Sequence, residues 1–216
     1  MSGATHLHTT RAAYDAIAAE YAGHFAGELA AKPMARAILG VFAEVVRGAV
    51  IDVGCGPGRV TAYLHGLGVA VSGVDLSPEM VALARREHPG LRFEEGTMTA
   101  LGAADGSLGG VVAWYSVIHT PREELPAVLA EFHRALAPGG HLLLAFQVGE
   151  EPWHLGEIFG RTIALDFYRW TPERLAGLLA GVGFAVEARL LREPDAEERT
   201  PHAHLLARKT TAGTAP

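Results

Sequence analysis

The sequence is poor in cysteine, in basic residues and in long hydrophobic runs, and each shortage excludes a class of protein. Cys55 is the only cysteine among 216 residues, so no disulfide can form within the chain. Acidic residues outnumber basic ones by 24 to 18, and the formal charge of −6 argues against a general binder of nucleic acids or anionic membranes. No run approaches the ~20 apolar residues of a membrane helix, and the N-terminus has no apolar signal core. We therefore expect a cytoplasmic protein without nucleic-acid or membrane partners.

Hydrophobic residues are plentiful, at 49% of the chain, and can supply one full core. A length of 216 residues suits a single α/β domain and is short for two. The predicted parts of this domain are an N-terminal helical cap at 1–48, a central core at 49–147, an insertion at 148–170, a C-terminal helix with two strands at 171–209, and a disordered tail at 210–216.

The central part of the chain alternates between strand and helix patterns. Two helices separated at Lys32-Pro33 fill the first 48 residues, and strands follow at "AVIDVG", "VAVSGVD", "LRFEEG", "GVVAWYS" and "GGHLLLAFQ". The last two strands, "FAVEARLLRE" and "AHLLARK", have no helix between them. The pattern predicts an α/β fold with a doubly wound, mostly parallel sheet and an antiparallel edge.

Several helix starts carry a recognisable cap. Ser77-Pro78 and Thr171-Pro172 each place an N-cap residue before a proline at the first helical position. Thr120 to Glu123 has the form of a capping box. Pro126 fits poorly in the helix that would follow, so we expect this helix to begin late or to bend.

The stretch "VIDVGCGPGRV", residues 50–60, places three glycines directly after a strand. Gly54, Gly56 and Gly58 let the backbone turn sharply and let a ligand lie against it. Asp75 ends the next strand, 21 residues after Gly54, where a carboxylate accepts hydrogen bonds from both ribose hydroxyls of an adenosine. A purely structural turn is the alternative, and the register with Asp75 counts against it.

The loop departs from the dinucleotide-binding pattern G-x-G-x-x-G. Arg59 occupies the place of the third glycine, and Asp52 brings a carboxylate beside the loop. A negative charge there disfavours a pyrophosphate and suits a ligand that carries an amino group and a sulfonium. A second interpretation is that Asp52 only caps nearby N–H groups.

These features resemble the class I S-adenosylmethionine-dependent methyltransferases of the small-molecule type. The resemblance rests on "DVGCGPG", "VDLSPEMVALAR", "GTMTAL" and "LAPGGHLLLAF", which follow the family's order between about residues 50 and 147. It implies a seven-stranded sheet in the order 3-2-1-4-5-7-6, with the last strand antiparallel. It also implies S-adenosyl-L-methionine as cofactor and in-line methyl transfer to a small-molecule acceptor.

The same resemblance assigns contacts to individual residues. Asp75 would bind the ribose, Leu76 would pack on the adenine, and Thr97 and Met98 would lie at the adenine edge. Leu76 and Met98 as ordinary core residues, and Cys55 as a small packed residue, are the alternatives. The full set of predicted cofactor-binding residues is Asp52, Gly54, Cys55, Gly56, Gly58, Asp75, Leu76, Met80, Thr97, Met98, Ala113 and Trp114.

The loop after the fourth strand, "WYSVIHTP", is where we expect the reaction centre. It lacks the Asn-Pro-Pro-Tyr-like motif of enzymes that methylate nucleobase or glutamine amino nitrogens. His119 is the best candidate for a general base because imidazole titrates near neutral pH, although a hydrogen-bonded loop residue is the plainer interpretation. Tyr14 and Tyr21 share a helical face and would reach the cofactor or substrate if the N-terminal helices close over the site; the alternative is an amphipathic helix that only packs on the sheet.

Aromatic residues are also concentrated in the insertion. Trp114 or Tyr115 would stack on the sulfonium or on an aromatic substrate, and only one of these two neighbours is expected to face the site. The insertion carries Trp153, Phe159, Tyr168 and Trp170, which favours a lid over an apolar or ring-shaped acceptor. The alternative for this segment is core packing beneath a lid.

No metal site is predicted. His6/His8 and His202/His204 are each two residues apart, but no third ligand pattern accompanies either pair. Two other functions compete with a methyltransferase: an NAD(P)-dependent oxidoreductase, against which Arg59 argues, and a binder of S-adenosylmethionine that does not methylate. The identity of the acceptor and the oligomeric state do not follow from the sequence.

Overall fold

The computed structural model describes residues 3–211, so most of the tail predicted to be disordered lies outside the described residues. Nine strands and seven α-helices are found within that range. The strands are β1 (Val50–Val53), β2 (Val71–Asp75), β3 (Phe93–Glu95), β4 (Leu108–Trp114), β5 (Leu136–Gln147), β6 (Trp153–Ile158), β7 (Arg161–Phe167), β8 (Phe184–Arg192) and β9 (His202–Lys209). The helices are α1 (Gly3–Phe25), α2 (Glu28–Ala31), α3 (Pro33–Val45), α4 (Arg59–Gly66), α5 (Pro78–Glu87), α6 (Leu125–Ala135) and α7 (Pro172–Gly181).

Seven of the strands form one sheet in the order β3-β2-β1-β4-β5-β9-β8. β1 to β5 pair in parallel, and β9 runs antiparallel to both β5 and β8. Counted among the sheet strands alone, the order is 3-2-1-4-5-7-6 with the last strand antiparallel, so the predicted topology is confirmed. Parallel strands end at one edge of the sheet, and the loops after β1, β2 and β4 therefore meet there.

Two apolar layers enclose this sheet. On one face Leu39 and Phe42 of α3 and Leu64 of α4 are fully buried against β1, β4 and β5. On the other face Leu129 and Phe132 of α6 are fully buried in a cluster that also includes residues of α7. Both faces of the central strands are covered, which explains their nearly continuous hydrophobic sequences.

The predicted caps gave two correct results and one error. The side chains of Ser77 and Thr171 accept hydrogen bonds from the N–H groups of Met80 (3.1 Å) and Arg174 (3.3 Å), as expected of N-caps. The capping box at Thr120 is wrong, because a 3₁₀ turn at Val117–His119 ends there and α6 begins only at Leu125. Pro126 stands in the first turn of α6, where it costs no hydrogen bond, so the expected late start is confirmed.

The insertion contains a β-hairpin that the sequence analysis did not predict. β6 and β7 pair antiparallel through a two-residue turn, Phe159-Gly160, and both turn residues have positive φ, at 53° and 71°. That backbone suits the twist of a tight hairpin. Alternation in "WHLGEI" and "RTIALDF" around this turn is the signal that was available.

Helix α1 is held between this hairpin and α5. Its residues Ala13 and Ile17 pack with Ile163 and Leu165 of β7. Farther along the helix, Ala18 and Ala22 pack with residues of α5. The helix therefore crosses over the edge of the sheet where β1, β2 and β4 end.

Candidate cofactor and acceptor site

A cavity lies between the ends of β1, β2 and β4 and the overlying helix α1. It holds about 900 Å³ of space, counted out to its mouth. Parallel strands bring their following loops together here, and α1 supplies a roof. Residues from all of these elements line it, including His6, Leu7, Thr10, Tyr14, Tyr21, Gly54, Gly56, Asp75, Leu76, Met80, Thr97, Met98, Trp114, Tyr115, Ser116, His119 and Glu124.

The three glycines of the loop serve two different purposes. A Cβ on Gly54 would lie 2.4 Å from the Ser116 Cβ, and one on Gly58 would lie 2.7 Å from the Phe93 ring. A Cβ on Gly56 would meet no atom within 4 Å, although φ is +54°. Packing therefore requires the first and third glycines, whereas the second leaves backbone bare at the cavity wall.

The Asp75 carboxylate closes this loop from the side of β2. Its two oxygens accept hydrogen bonds from the N–H groups of Gly56 (2.7 Å) and Ser77 (2.8 Å). Burial raises the pKa of Asp75 above its ordinary value, while these backbone hydrogen bonds act in the opposite direction. A polar ligand in the cavity would therefore meet a carboxylate that the backbone already orients.

Four residues extend the cavity beyond Asp75. Leu76, Met80, Thr97 and Met98 all line it. Met98 is oriented by Thr120, whose hydroxyl donates to its sulfur at 3.5 Å. The roles of these residues toward a ligand stay predictions.

Four other predicted cofactor contacts do not line the cavity. Asp52 is fully buried beneath the loop and accepts a hydrogen bond from the Thr61 hydroxyl at 2.7 Å. Cys55 packs in a small apolar cluster, Gly58 faces Phe93, and Ala113 is fully buried. Burial raises the pKa of Asp52 to about 7 and also raises that of the Cys55 thiol. Cys55 and Gly58 thus belong to the loop without lining the cavity, Asp52 lies beneath the loop, and Ala113 lies within β4.

His119 and Tyr14 meet at the cavity wall although 105 residues separate them. The His119 Nδ1 lies 2.9 Å from the Asp166 carbonyl oxygen, which can only accept, so this nitrogen carries the proton. The Nε2 then accepts from the Tyr14 hydroxyl at 2.8 Å. Burial lowers the pKa of His119 to about 4, so the expectation that it titrates near neutral pH is wrong, and it is a neutral acceptor at pH 7.

Tyr21 lies beside Tyr14 on α1, with the two rings edge-on and their centroids 5.7 Å apart. Both line the cavity. Burial raises the pKa of both hydroxyls, so both are protonated donors at pH 7. The helical face predicted from the spacing of the two tyrosines is thus turned toward the cavity.

Trp114 and Tyr115 both line the cavity, so the expectation that only one of them would face it is wrong. Tyr115 has a φ of 53°, which is uncommon for a bulky residue. The chain turns at this residue instead of continuing the alternation of the strand. The Tyr115 hydroxyl also lies 2.7 Å from Nδ1 of His202 on β9.

Several lining residues had no recognisable signal in the sequence. His6, Leu7 and Thr10 belong to the first turns of α1, Ser116 precedes the 3₁₀ turn, and Glu124 directly precedes α6. His6 lies 3.4 Å from the Glu124 carboxylate, which joins the two sides of the cavity. These residues meet because α1 packs over the loop after β4, which is far away in the sequence. No local sequence pattern predicts such a contact.

The aromatic residues of the insertion do not line this cavity. Trp153 packs on Phe167 with ring centroids 4.9 Å apart, Phe159 packs near His24, and Trp170 is buried in the core. The insertion instead supplies the Asp166 carbonyl to His119 and a surface for α1. Core packing, the alternative for these rings, describes them better than direct contact with an acceptor.

Among residues 3–211, no helix is both long and apolar enough to cross a membrane. The same residues contain no group of three or more His, Cys, Asp or Glu side chains arranged to hold a metal ion.

The central region of the chain is similar to known methyltransferases. Residues 50–140 match a family profile described as a methyltransferase domain. The chain is 32% identical over 139 residues to a demethylmenaquinone methyltransferase of Chlorobaculum parvum, a match that covers 64% of this chain and 55% of the relative. It is 36% identical over 111 residues to a trans-aconitate 2-methyltransferase of Methylobacterium nodulans, covering 49% and 41%. The chain thus spans about half the length of the curated relatives it matches.

Solved structures extend the likeness to the whole fold. A 1,6-didemethyltoxoflavin-N1-methyltransferase of Burkholderia thailandensis, solved with 1,6-didemethyltoxoflavin and S-adenosylhomocysteine, aligns over 98% of this chain and 92% of its own, with a TM-score of 0.77 and 23% identity. A DhpI–S-adenosylhomocysteine complex aligns over 97% and 99%, with a TM-score of 0.76 and 21% identity. Residues 50–140 therefore resemble a methyltransferase domain, and the chain shares the fold of these two solved structures over nearly its whole length.

Proposed function

We propose that this protein transfers a methyl group from S-adenosyl-L-methionine to a small-molecule acceptor. The single observation that carries the proposal is the pairing of Asp75 with the bare backbone of Gly56 at the wall of one cavity. The family match over residues 50–140 supports it. Relatives named for three unrelated acceptors, demethylmenaquinone, malonyl-[acyl-carrier protein] and trans-aconitate, support the reaction and leave the acceptor open.

The residues present fit this cofactor. A Cβ on Gly56 would meet no atom within 4 Å, so the space in front of this residue is available to a ligand. Asp75 would exchange its hydrogen bond from Gly56 for ribose hydroxyls, and Leu76 and Met98 would hold the adenine between apolar surfaces. The bound cofactor supplies a methyl group on a positively charged sulfur, which needs no further activation.

The chain then contributes by aligning the acceptor with the methyl group. For an acceptor that must lose a proton, the chain also removes that proton. Tyr14 would take the acceptor's proton while passing its own to the His119 Nε2. The Asp166 carbonyl holds His119 in the tautomer that leaves this nitrogen free. His119 is neutral at pH 7, so its Nε2 can accept a proton, although the burial that lowers its pKa to about 4 also makes it a weaker base.

The roof of the cavity would control access. Helix α1 and the hairpin contact each other through a small apolar cluster of their own, apart from the two layers of the sheet. We include residues 1–48 and 148–170 in the substrate-binding part of the domain for this reason. Release of α1 from the edge of the sheet would admit the cofactor and the acceptor.

A labelling experiment tests this function. The protein is incubated with a metabolite extract and S-adenosylmethionine carrying a ¹³C-labelled methyl group, and products are identified by mass spectrometry. We expect at least one small molecule to gain one labelled methyl group, and the His119→Ala variant to produce far less of it. Tight cofactor binding without any labelled product would instead indicate a binder that does not methylate.

A further inference from the structure

The part of the large cavity around Tyr14 offers a ligand a hydrogen-bond acceptor. Because the Asp166 carbonyl accepts from Nδ1 of His119, Nε2 accepts the hydrogen of the Tyr14 hydroxyl at 2.8 Å. Burial raises the pKa of Tyr14 and lowers that of His119 to about 4, so both groups are in this state at pH 7. With its only hydrogen in use, the Tyr14 oxygen has lone pairs to offer. A group that binds this oxygen must therefore bring its own hydrogen, as an O–H or N–H.

The charged side chains on the cavity wall are mainly acidic. Among the lining residues within 3–211, Asp75 and Glu124 are carboxylates, and none is a lysine or an arginine. The Asp75 oxygens accept from backbone N–H groups, and the Glu124 carboxylate lies 3.4 Å from His6. An anion that enters this space would leave water without meeting a lysine or arginine, which is costly. The wall therefore favours an uncharged ligand over an anionic one.

Arg59 is a cation near this wall, but its charge is already paired. Burial raises the pKa of the Tyr21 hydroxyl, and Arg59 lies close enough to oppose that shift. Arg59 does not line the cavity, and its guanidinium donates to the Glu28 carboxylate at 2.7 Å and to the Phe25 carbonyl at 2.8 Å. The bound cofactor would bring one net positive charge, which the Asp75 carboxylate balances. Neither source leaves a positive charge over for an anionic acceptor.

The rest of the wall near Tyr14 is rich in aromatic surface. The Tyr21 ring lies edge-on to the Tyr14 ring with centroids 5.7 Å apart, and Trp114 and Tyr115 line the same cavity. The Tyr115 hydroxyl is already engaged, at 2.7 Å from Nδ1 of His202. Such a wall suits an apolar or ring-shaped body with few polar groups.

We propose that the methyl acceptor is an uncharged compound with an apolar body, that its O–H or N–H group donates to the Tyr14 oxygen, and that carboxylates are excluded. The proposal rests on the methyltransferase function proposed above and names its substrate class. The acceptor's oxygen or nitrogen would bond to the methyl carbon as the carbon–sulfur bond breaks, and the electron pair of that bond would stay on the sulfur. The acceptor's proton would pass to Tyr14 while the Tyr14 proton moves to Nε2 of His119. A carboxylate has no such proton and would place its lone pairs against those of Tyr14.

Two matched pairs of small probes test this recognition in solution. Benzamide and benzoate have nearly the same shape but differ in charge, and phenol and fluorobenzene differ in whether they carry a donor. Protein labelled with ¹³C-tyrosine is saturated with sinefungin, an analogue whose amine supplies the positive charge of the sulfonium. The Tyr14 ring resonance, assigned by its loss in Tyr14→Phe, is followed by NMR. We expect saturable shifts with benzamide and phenol, and affinities about tenfold weaker or less for benzoate and fluorobenzene.

A variant of His119 shows whether the direction of the Tyr14 hydrogen bond causes this selectivity. In His119→Leu the Tyr14 hydroxyl can donate to a ligand, so both affinity ratios should shrink toward one. The exposed His65 supplies the matched control, and His65→Leu should keep both ratios. Calorimetry with sinefungin checks that each variant is folded, and the titrations of the parent protein need no variant beyond the assignment.

The chemistry of the product gives an independent test. Alkali releases methanol from a methyl ester but not from a methyl ether or a methylated nitrogen. Products of the ¹³C-methyl labelling experiment are therefore treated with mild alkali before mass spectrometry. We expect the labelled methyl group to stay on the product. Release of labelled methanol would show that a carboxylate had been methylated and would overturn the proposal.

Failure of the substrate class can be separated from failure of the proposed function. If neither sinefungin nor S-adenosylhomocysteine binds, or no compound gains a labelled methyl group, the methyltransferase proposal fails. If both bind and the labelled product is an ester, the function stands and only the substrate class is refuted. Benzoate binding as tightly as benzamide, fluorobenzene binding as tightly as phenol, or no shift with any probe would also refute the substrate class.

Discussion

The glycine loop and the roof of the cavity face the same space but are built in opposite ways. The loop joins β1 to α4 within a few residues, and Asp75 closes it from the adjacent strand. The roof depends on contacts between distant segments, since Tyr14 reaches His119 across 105 residues and α1 packs on β7. If the proposed function holds, cofactor binding depends on a loop built from neighbouring segments, whereas proton transfer depends on side chains that distant segments bring together.

The largest expected effect concerns the loop. Gly56→Val places a branched side chain in the open space where the cofactor would lie, at a φ of +54°, and should reduce cofactor binding below detection by calorimetry. Gly68→Val is the matched control, because Gly68 also has positive φ and open space but does not line the cavity. Normal binding by Gly56→Val would mean that the loop does not hold the cofactor.

The next effect concerns the roof. His119→Ala should lower kcat by roughly 10²–10⁴-fold on an acceptor that must lose a proton, with cofactor affinity nearly unchanged. Tyr14→Phe should act in the same direction, and the exposed His65→Ala should not. If His119→Ala raises KM and leaves kcat intact, His119 and Tyr14 only position the acceptor and do not remove its proton.

The pH dependence sharpens the same contrast. Since His119 has a pKa of about 4, kcat at saturating cofactor should be flat from about pH 6 to 8 and fall as the pH drops toward 4, because protonated Nε2 can no longer accept. The His119→Ala variant should lack this acid limb. If kcat instead changes near pH 7, a group other than His119 titrates in the reaction. Asp52, whose pKa burial raises to about 7, would then be the first residue to test, by the Asp52→Asn variant.

A smaller effect is expected at the ribose ligand. Asp75→Ala removes two charge-assisted hydrogen bonds, and cofactor affinity should fall by on the order of 2–4 kcal/mol. Turnover at saturating cofactor should change much less than in His119→Ala. Unchanged affinity in a folded variant would refute the ribose assignment.

The smallest effect tests whether the roof is a separate unit. Ile163→Val in β7 should cost about 0.5–1.5 kcal/mol, and hydrogen exchange should accelerate in α1 and the hairpin while β1 keeps its protection. Ile51→Val in β1 is a matched control, because both isoleucines are 8% exposed. Equal acceleration throughout the sheet in Ile163→Val would show that the roof does not open independently.

The same contrast explains how much could be predicted from the sequence. The alternation of strands and helices and the position of Asp75 after the glycine loop are local features that a sequence displays directly, and the sheet order is implied by the family resemblance. The meeting of Tyr14 with His119, the positive φ of Tyr115 and the unpartnered nitrogens of His204 depend on distant segments, so no local pattern contains them. The error at Thr120 has a local cause, because Pro126 set the helix start and the 3₁₀ turn used the preceding residues.

The central claim is that the cavity at the ends of β1, β2 and β4 binds S-adenosylmethionine, and calorimetry tests it most directly. The pure protein is titrated with S-adenosylhomocysteine and, separately, with NADH. We predict saturable one-site binding of S-adenosylhomocysteine and no heat of binding with NADH. Tight binding of NADH with no response to S-adenosylhomocysteine would contradict the account and favour an oxidoreductase.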